Sequence, residues 1–153
     1  MGIGVFRNFQ LAALVSKVNS TLLDVPGFTT PIAAGQKMKF RFYLPINLLG
    51  AAGGAKFRVD VPAAPSVFIQ TSILIDQVTA TPVFFPLGAA GTIAAPADVG
   101  ATLTVVGRHI AIIEGSLVNG VTAGNLKLQF AQNVTNATAS ELSAGAWMET
   151  WIL

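Results

Sequence analysis

The sequence contains no cysteine. That excludes a disulfide framework and a zinc-thiolate centre, and it leaves the redox compartment open. Charge is scarce as well: 10% of the 153 residues are charged, nine Lys and Arg against seven Asp and Glu. An average domain carries about 25%. A compact monomer of this length would expose roughly 7,400 Å², or about one charge per 460 Å². With 52% hydrophobic residues, such a surface calls for cover by partner chains. The same balance excludes disorder, which needs low hydrophobicity and high net charge. No apolar run is long enough to cross a membrane as a helix. The longest charge-free stretch, 77–97, is broken by Pro82, Pro86 and Pro96. LAALVS at 11–16 is too short for a signal-peptide core, and no small-x-small site follows it. The net charge of +2 is too small for the dense basic stripe of a nucleic-acid binder.

What is present is alternation with a period of two. MKFRFYL (38–44) sets Met38, Phe40, Phe42 and Leu44 against Lys39, Arg41 and Tyr43. AKFRVDV (55–61) sets Ala55, Phe57, Val59 and Val61 against Lys56, Arg58 and Asp60. Both are half-buried strands. The Pro- and Gly-bearing segment between them predicts neighbouring antiparallel strands. Lys37, Lys39, Arg41, Lys56 and Arg58 would then gather on one basic face, either solvated or turned to an acidic partner.

Further strands are expected around 20–25, in 66–78 (one or two), in 79–87 and in 101–118, with a bulge at Gly107. Two more are expected at 125–133 and 146–153. The prolines mark 79–87 as an edge or a bend. Residues 88–100 read as a small-residue loop and 133–142 as a polar one. AWMETWIL at the end is apolar on both faces, so one face belongs to a core and the other to an interface. About eight strands and no internal helix predict an all-β jelly-roll sandwich over residues 19–153. Residues 1–18 read as a short arm with one or two helical turns, docking on neighbouring subunits through Val5, Phe6, Arg7, Phe9, Leu11 and Leu14.

Residues 19–153 resemble the jelly-roll heads of bacteriophage structural proteins, which are shaped like tumour necrosis factor or C1q modules. The opening STLLDVPGFTTPIAAGQKMKFRFYLPI carries the likeness, as does the closing order IIEGSL, VNGVTAGN, LKLQFAQN, NATAS, AGAWMETWIL. The basic KMKFRFYL and the Ala/Gly/Pro-rich 88–100 loop depart from it. The resemblance implies a homotrimer, with Trp147, Trp151 and Leu153 at the trimer interface. It also implies a virion role at the capsid surface: a decoration (cement) protein that bridges and stabilises subunits of the major capsid protein. The alternative it allows is the receptor- or glycan-binding head of a fibre or spike, with the two Trp stacking on sugars.

Residues for chemistry are few. The single His, His109, lies five positions before Glu114. On a strand that spacing places the two on opposite faces, which breaks a catalytic pairing; the expectation is a surface or interface His. Seven scattered carboxylates and one His offer no metal cluster within one chain. There is no phosphate-binding loop, because Gly2-Ile3-Gly4 follows no strand. The chain is therefore expected to be no enzyme, with no cofactor, no small-molecule substrate and no nucleic-acid or membrane partner.

Overall fold

The computed structural model describes residues 5–50, 53–62, 65–76, 82–87, 99–101 and 106–153. These form twelve strands and no helix: β1 (Val5–Gln10), β2 (Val15–Lys17), β3 (Leu23–Ile32), β4 (Lys37–Leu48), β5 (Ala55–Asp60), β6 (Val67–Asp76), β7 (Pro82–Leu87), β8 (Val99–Ala101), β9 (Gly107–Val118), β10 (Gly124–Ala131), β11 (Ser140–Leu142) and β12 (Trp147–Ile152). They build two antiparallel sheets. The large sheet runs β1-β12-β4-β9-β6-β7, with β11 joined to β4 and β2 to β11; the small sheet runs β3-β10-β5-β8.

The chain passes from one sheet to the other at most connections. β3 is in the small sheet, β4 in the large, β5 in the small; β9, β10 and β12 repeat the exchange. That is the winding of a jelly roll, as expected. Eight strands carry it: β1, β3, β4, β5, β8, β9, β10 and β12. The hairpin β6–β7 is added beyond β9 at one end of the large sheet, and the short β2 and β11 extend it beside β4.

Alternation decides which side chains enter the sandwich. Met38, Phe40, Phe42, Leu44, Ile46 and Leu48 of β4 are all buried. Phe57 and Val59 of β5 and Leu126, Leu128 and Phe130 of β10 face them from the small sheet. Aromatic rings form the centre: Phe40 and Phe42 have centroids 5.8 Å apart, Phe28 and Phe42 6.2 Å, and Phe57 and Phe130 stack at 5.1 Å. At one end of the sandwich, Gln132 is a polar anchor within this apolar interior. Its Nε2 donates to the Thr138 carbonyl at 2.7 Å, and its Oε1 accepts from the Asn136 N–H at 2.8 Å. The backbone must run close beside it, and a Cβ on Gly53 would lie 2.8 Å from that same Nε2.

Two expectations are corrected. First, β4 and β5 are not neighbours; they lie in opposite sheets. Two strands with the same alternation can face each other across a core as readily as they can pair, and the 49–54 connection crosses the sandwich. Second, residues 5–10 and 15–17 are strands, not helical turns. Their inward positions recur every two residues, with Arg7 and Phe9 half-buried and Leu11 buried. Of the one or two strands expected in 66–78, the described residues hold one, β6. β7 is an edge as expected, pairing among the described residues with β6 alone. Residues 88–98 and 102–105 lie outside the described ones; residues 99–100, expected at the end of a loop, instead open strand β8 (Val99–Ala101), and the predicted 101–118 strand is seen as β9 from Gly107. Gly107 opens β9 at φ 142.

Candidate functional site

The outward face of the large sheet differs in chemistry from that of the small sheet. Register assigns its rows. One row runs Gln10, Trp147, Tyr43, Ile112, Ile73 across β1, β12, β4, β9 and β6. Beside it lies Pro45, Ile110, Ile75. On the other side comes Asn8, Glu149, Arg41, Glu114, Thr71, then Phe6, Trp151, Lys39, Ser116. Trp147 and Tyr43 stack nearly parallel, 5.5 Å apart at 10°. Phe6 leans on Trp151 at 5.5 Å. The four isoleucines and Pro45 are half-buried by one another in the single chain.

A narrow charged stripe crosses this face. Arg41 Nε contacts Glu114 Oε1 at 2.6 Å, and Glu149 lies in register on the other side of Arg41. Asn47 Nδ2 donates to Glu141 Oε2 at 3.1 Å. Arg41 and Glu114 are thus paired within the face, and Lys37 and Lys39 project from it beside them. A shallow groove of about 600 Å³, lined by Lys39, Arg41, Glu114, Trp151 and Leu153, follows the stripe.

The small sheet turns a polar face outward: Asp24, Gln129, Arg58, Lys127, Asp60 and Lys56. Asp24 accepts from Lys127 Nζ and from Gln129 Nε2, each at 2.9 Å. The Gln129 bond first, then Lys127, holds the Asp24 carboxyl below its usual range, and the same pairing pushes Lys127 up.

The structure redistributes the residues singled out in the sequence. The basic face does not exist as one surface. Lys37, Lys39 and Arg41 project from the large sheet and Lys56 and Arg58 from the small one, on opposite sides of the sandwich. Of the arm residues, Leu11 is buried, Phe9 packs against the core, and Arg7 Nη1 donates to buried Thr30 Oγ1 at 3.3 Å. Val5, Phe6 and Leu14 are exposed. Trp147 and Trp151 lie together on the outward face, and Leu153 is exposed at its end. His109 is not a surface residue: it is 1% exposed and points inward, because it shares the parity of Ala111 and Ile113. Glu114 points outward, as the spacing requires.

Tyr43, Pro45, Ile110, Ile112, Ile73 and Ile75 were not singled out. The signal lay in the runs ILI (73–75) and IAII (110–113), which are apolar at both parities and therefore covered on both faces. Among the described residues, no group of three His, Asp or Glu is placed to hold a metal ion.

No family model matches the chain, and no curated protein matches it at a significant level. Solved structures that align with it include that of the infectious bursal disease virus Gt strain, at 10% identity and a TM-score of 0.26, covering 97% of this chain and 37% of that one. Another is the infectious bursal disease virus VP2 subviral particle, at 7% identity and a TM-score of 0.25, covering 98% and 41%. The chain thus spans about two-fifths of the length of the chains it aligns with. With TM-scores this low, the jelly-roll assignment rests on the strand order of the two sheets.

Proposed function

We propose that this protein is a structural virion protein, and within that class a trimeric capsid decoration protein that bridges and stabilises subunits of the major capsid protein. One observation carries the assembly role: the outward face of the large sheet is aromatic and aliphatic, while that of the small sheet is polar. A sandwich exposed on both sides would be polar on both. The five strands β1, β12, β4, β9 and β6 hold 6, 6, 12, 12 and 10 residues, which at about 3.4 Å per residue and about 4.8 Å spacing present roughly 750 Å². A standard interface takes about 800 Å² from each partner. The size therefore suits contact between whole subunits.

In this reading the large-sheet face packs around a threefold axis, with Trp147, Tyr43 and Trp151 as anchors. The self-neutralised Arg41–Glu114 stripe avoids leaving a buried charge unpaired. Exposed Val5, Phe6 and Leu14 at the sheet margin contact the capsid. Three copies around the axis add avidity to individually modest contacts. The phage-like cadence of the sequence supports the virion setting.

Two measurements test this. Sedimentation velocity should show a trimer for the wild type and a folded monomer for Trp147→Lys. Particles stripped of the protein should lose heat resistance and regain it on adding the wild type but not the variant. A freely soluble single chain without affinity for particles would overturn the proposal. A few copies at a fibre tip, rather than many over the shell, would favour the receptor-binding head.

A further inference from the structure

Among the described residues the large sheet ends in β1, whose outer side pairs with no strand, and β1 is the one long edge without proline; its only charge is Arg7, tied inward to Thr30. β7 carries Pro82 and Pro86, and β3 carries Pro26 and Pro31. Proline removes the N–H that a neighbouring strand would need. β8 and β2 are three residues long, too short to template a partner. β1, VFRNFQ, has six residues and no Pro, Gly or Lys.

Hydrogen bonding fixes which groups are open. Leu11 N donates to the Ala146 carbonyl at 2.8 Å, and the Leu11 carbonyl accepts from Gly145 N at 3.1 Å. In an antiparallel ladder, pairing alternates. Val5, Arg7 and Phe9, in register with Ile152, Thr150 and Met148, therefore direct their N–H and C=O groups to β12. Phe6, Asn8 and Gln10 direct theirs outward. Among the described residues β1 pairs with β12 alone.

We infer that this edge pairs with β1 of a second copy, antiparallel about a twofold axis centred on Asn8. The sequence is self-complementary in that register. Asn8 meets Asn8 of the other copy, Phe6 meets Gln10, and Arg7 meets Phe9. Centring the pair on Phe9 instead shortens the overlap, and centring it on Arg7 sets Arg7 against Arg7, a like-charge contact that costs stability. Arg7 is already held by Thr30, so it does not obstruct the approach. Pairing would join two large sheets into one continuous sheet, with both apolar faces on the same side. A five-residue ladder is small beside a standard interface, so it links assemblies weakly and gains from repetition. The contact uses the edge and not the face, so it stands or falls separately from the threefold packing.

The absence of cysteine makes the test direct. Opposed residues of a bonded antiparallel pair have Cα atoms about 5.5 Å apart, within disulfide range. On mild oxidation Asn8→Cys should form a disulfide dimer roughly tenfold or more faster than Val121→Cys, a control at a fully open surface. Val5→Cys, opposite Leu11 in this register, should show no such excess. Asn8→Pro removes only an outward N–H. It should keep the melting temperature and the basal oligomer but abolish the species of twice that mass in sedimentation velocity. Equal cross-linking of Asn8→Cys and Val121→Cys, or unchanged association of a folded Asn8→Pro, overturns the inference. Trp147→Lys in the Asn8→Cys background separates the two contacts: a monomer that still cross-links refutes nothing about the edge and confirms that the face is distinct.

Discussion

At the scale of single residues, the small sheet offers a pH-dependent contact and the core an energetic one. Asp24 is held below its usual range, so its contribution to stability is complete above about pH 4 and is lost as pH falls through its folded value. Lys127 is raised by the same pairing, and its contribution is present below about pH 10 and lost above its folded value. Asp24→Asn should therefore lower the melting temperature at pH 7, and the difference should shrink as pH falls through the folded value of Asp24. Phe42, with no exposed surface at the centre of the rings, is a different case. Phe42→Ala should cost about 3–5 kcal/mol by denaturant unfolding, a large part of the roughly 5–15 kcal/mol that holds a domain together. Gln132→Leu should cost about 1–3 kcal/mol, since it strands the Asn136 N–H and the Thr138 carbonyl without replacing either bond.

At the scale of elements, the sequence was clearest where one face is buried and the other wet. β4, β5, β10 and β12 are legible residue by residue, because alternation assigns each side chain to a face. Sheet membership was not legible: β4 and β5 carry the same pattern, and nothing local distinguishes pairing from facing across the core. β1 and β2 were hidden for another reason. Arg7, Asn8 and Gln10 interrupt the apolar pattern, and only the register with β12 shows that Arg7 turns inward to Thr30. Half of the candidate face was legible through Trp147 and Trp151. The other half comes from β9 and β6, whose runs of isoleucine do not state which parity meets a partner. Removing residues 1–17 should consequently do more than free an arm. It uncovers the edge of β12 and takes Phe9 and Leu11 from the core, so the truncated chain should aggregate, as light scattering during refolding would show.

At the scale of the whole molecule, low charge and one-sided polarity describe the same design. Most of the polar side chains of the small sheet face water, and in the proposed assembly the large sheet is covered. Ile112→Lys, at the middle of the apolar row, should therefore raise solubility and dissociate the proposed assembly while leaving the fold intact, measurable by sedimentation and by an unchanged circular dichroism spectrum. Covering both faces would instead have required charges that the composition does not contain.

The pairing of β1 with β12 has a consequence for folding. Val5 lies opposite Ile152, so β1 waits for β12 before its backbone is satisfied. Closure of the sandwich is deferred until the two meet, and such distant pairing folds slowly. Because both ends meet at one corner, a circularly permuted chain joined there by a short linker and reopened at the 119–123 turn should fold faster, having made its most distant contact a local one.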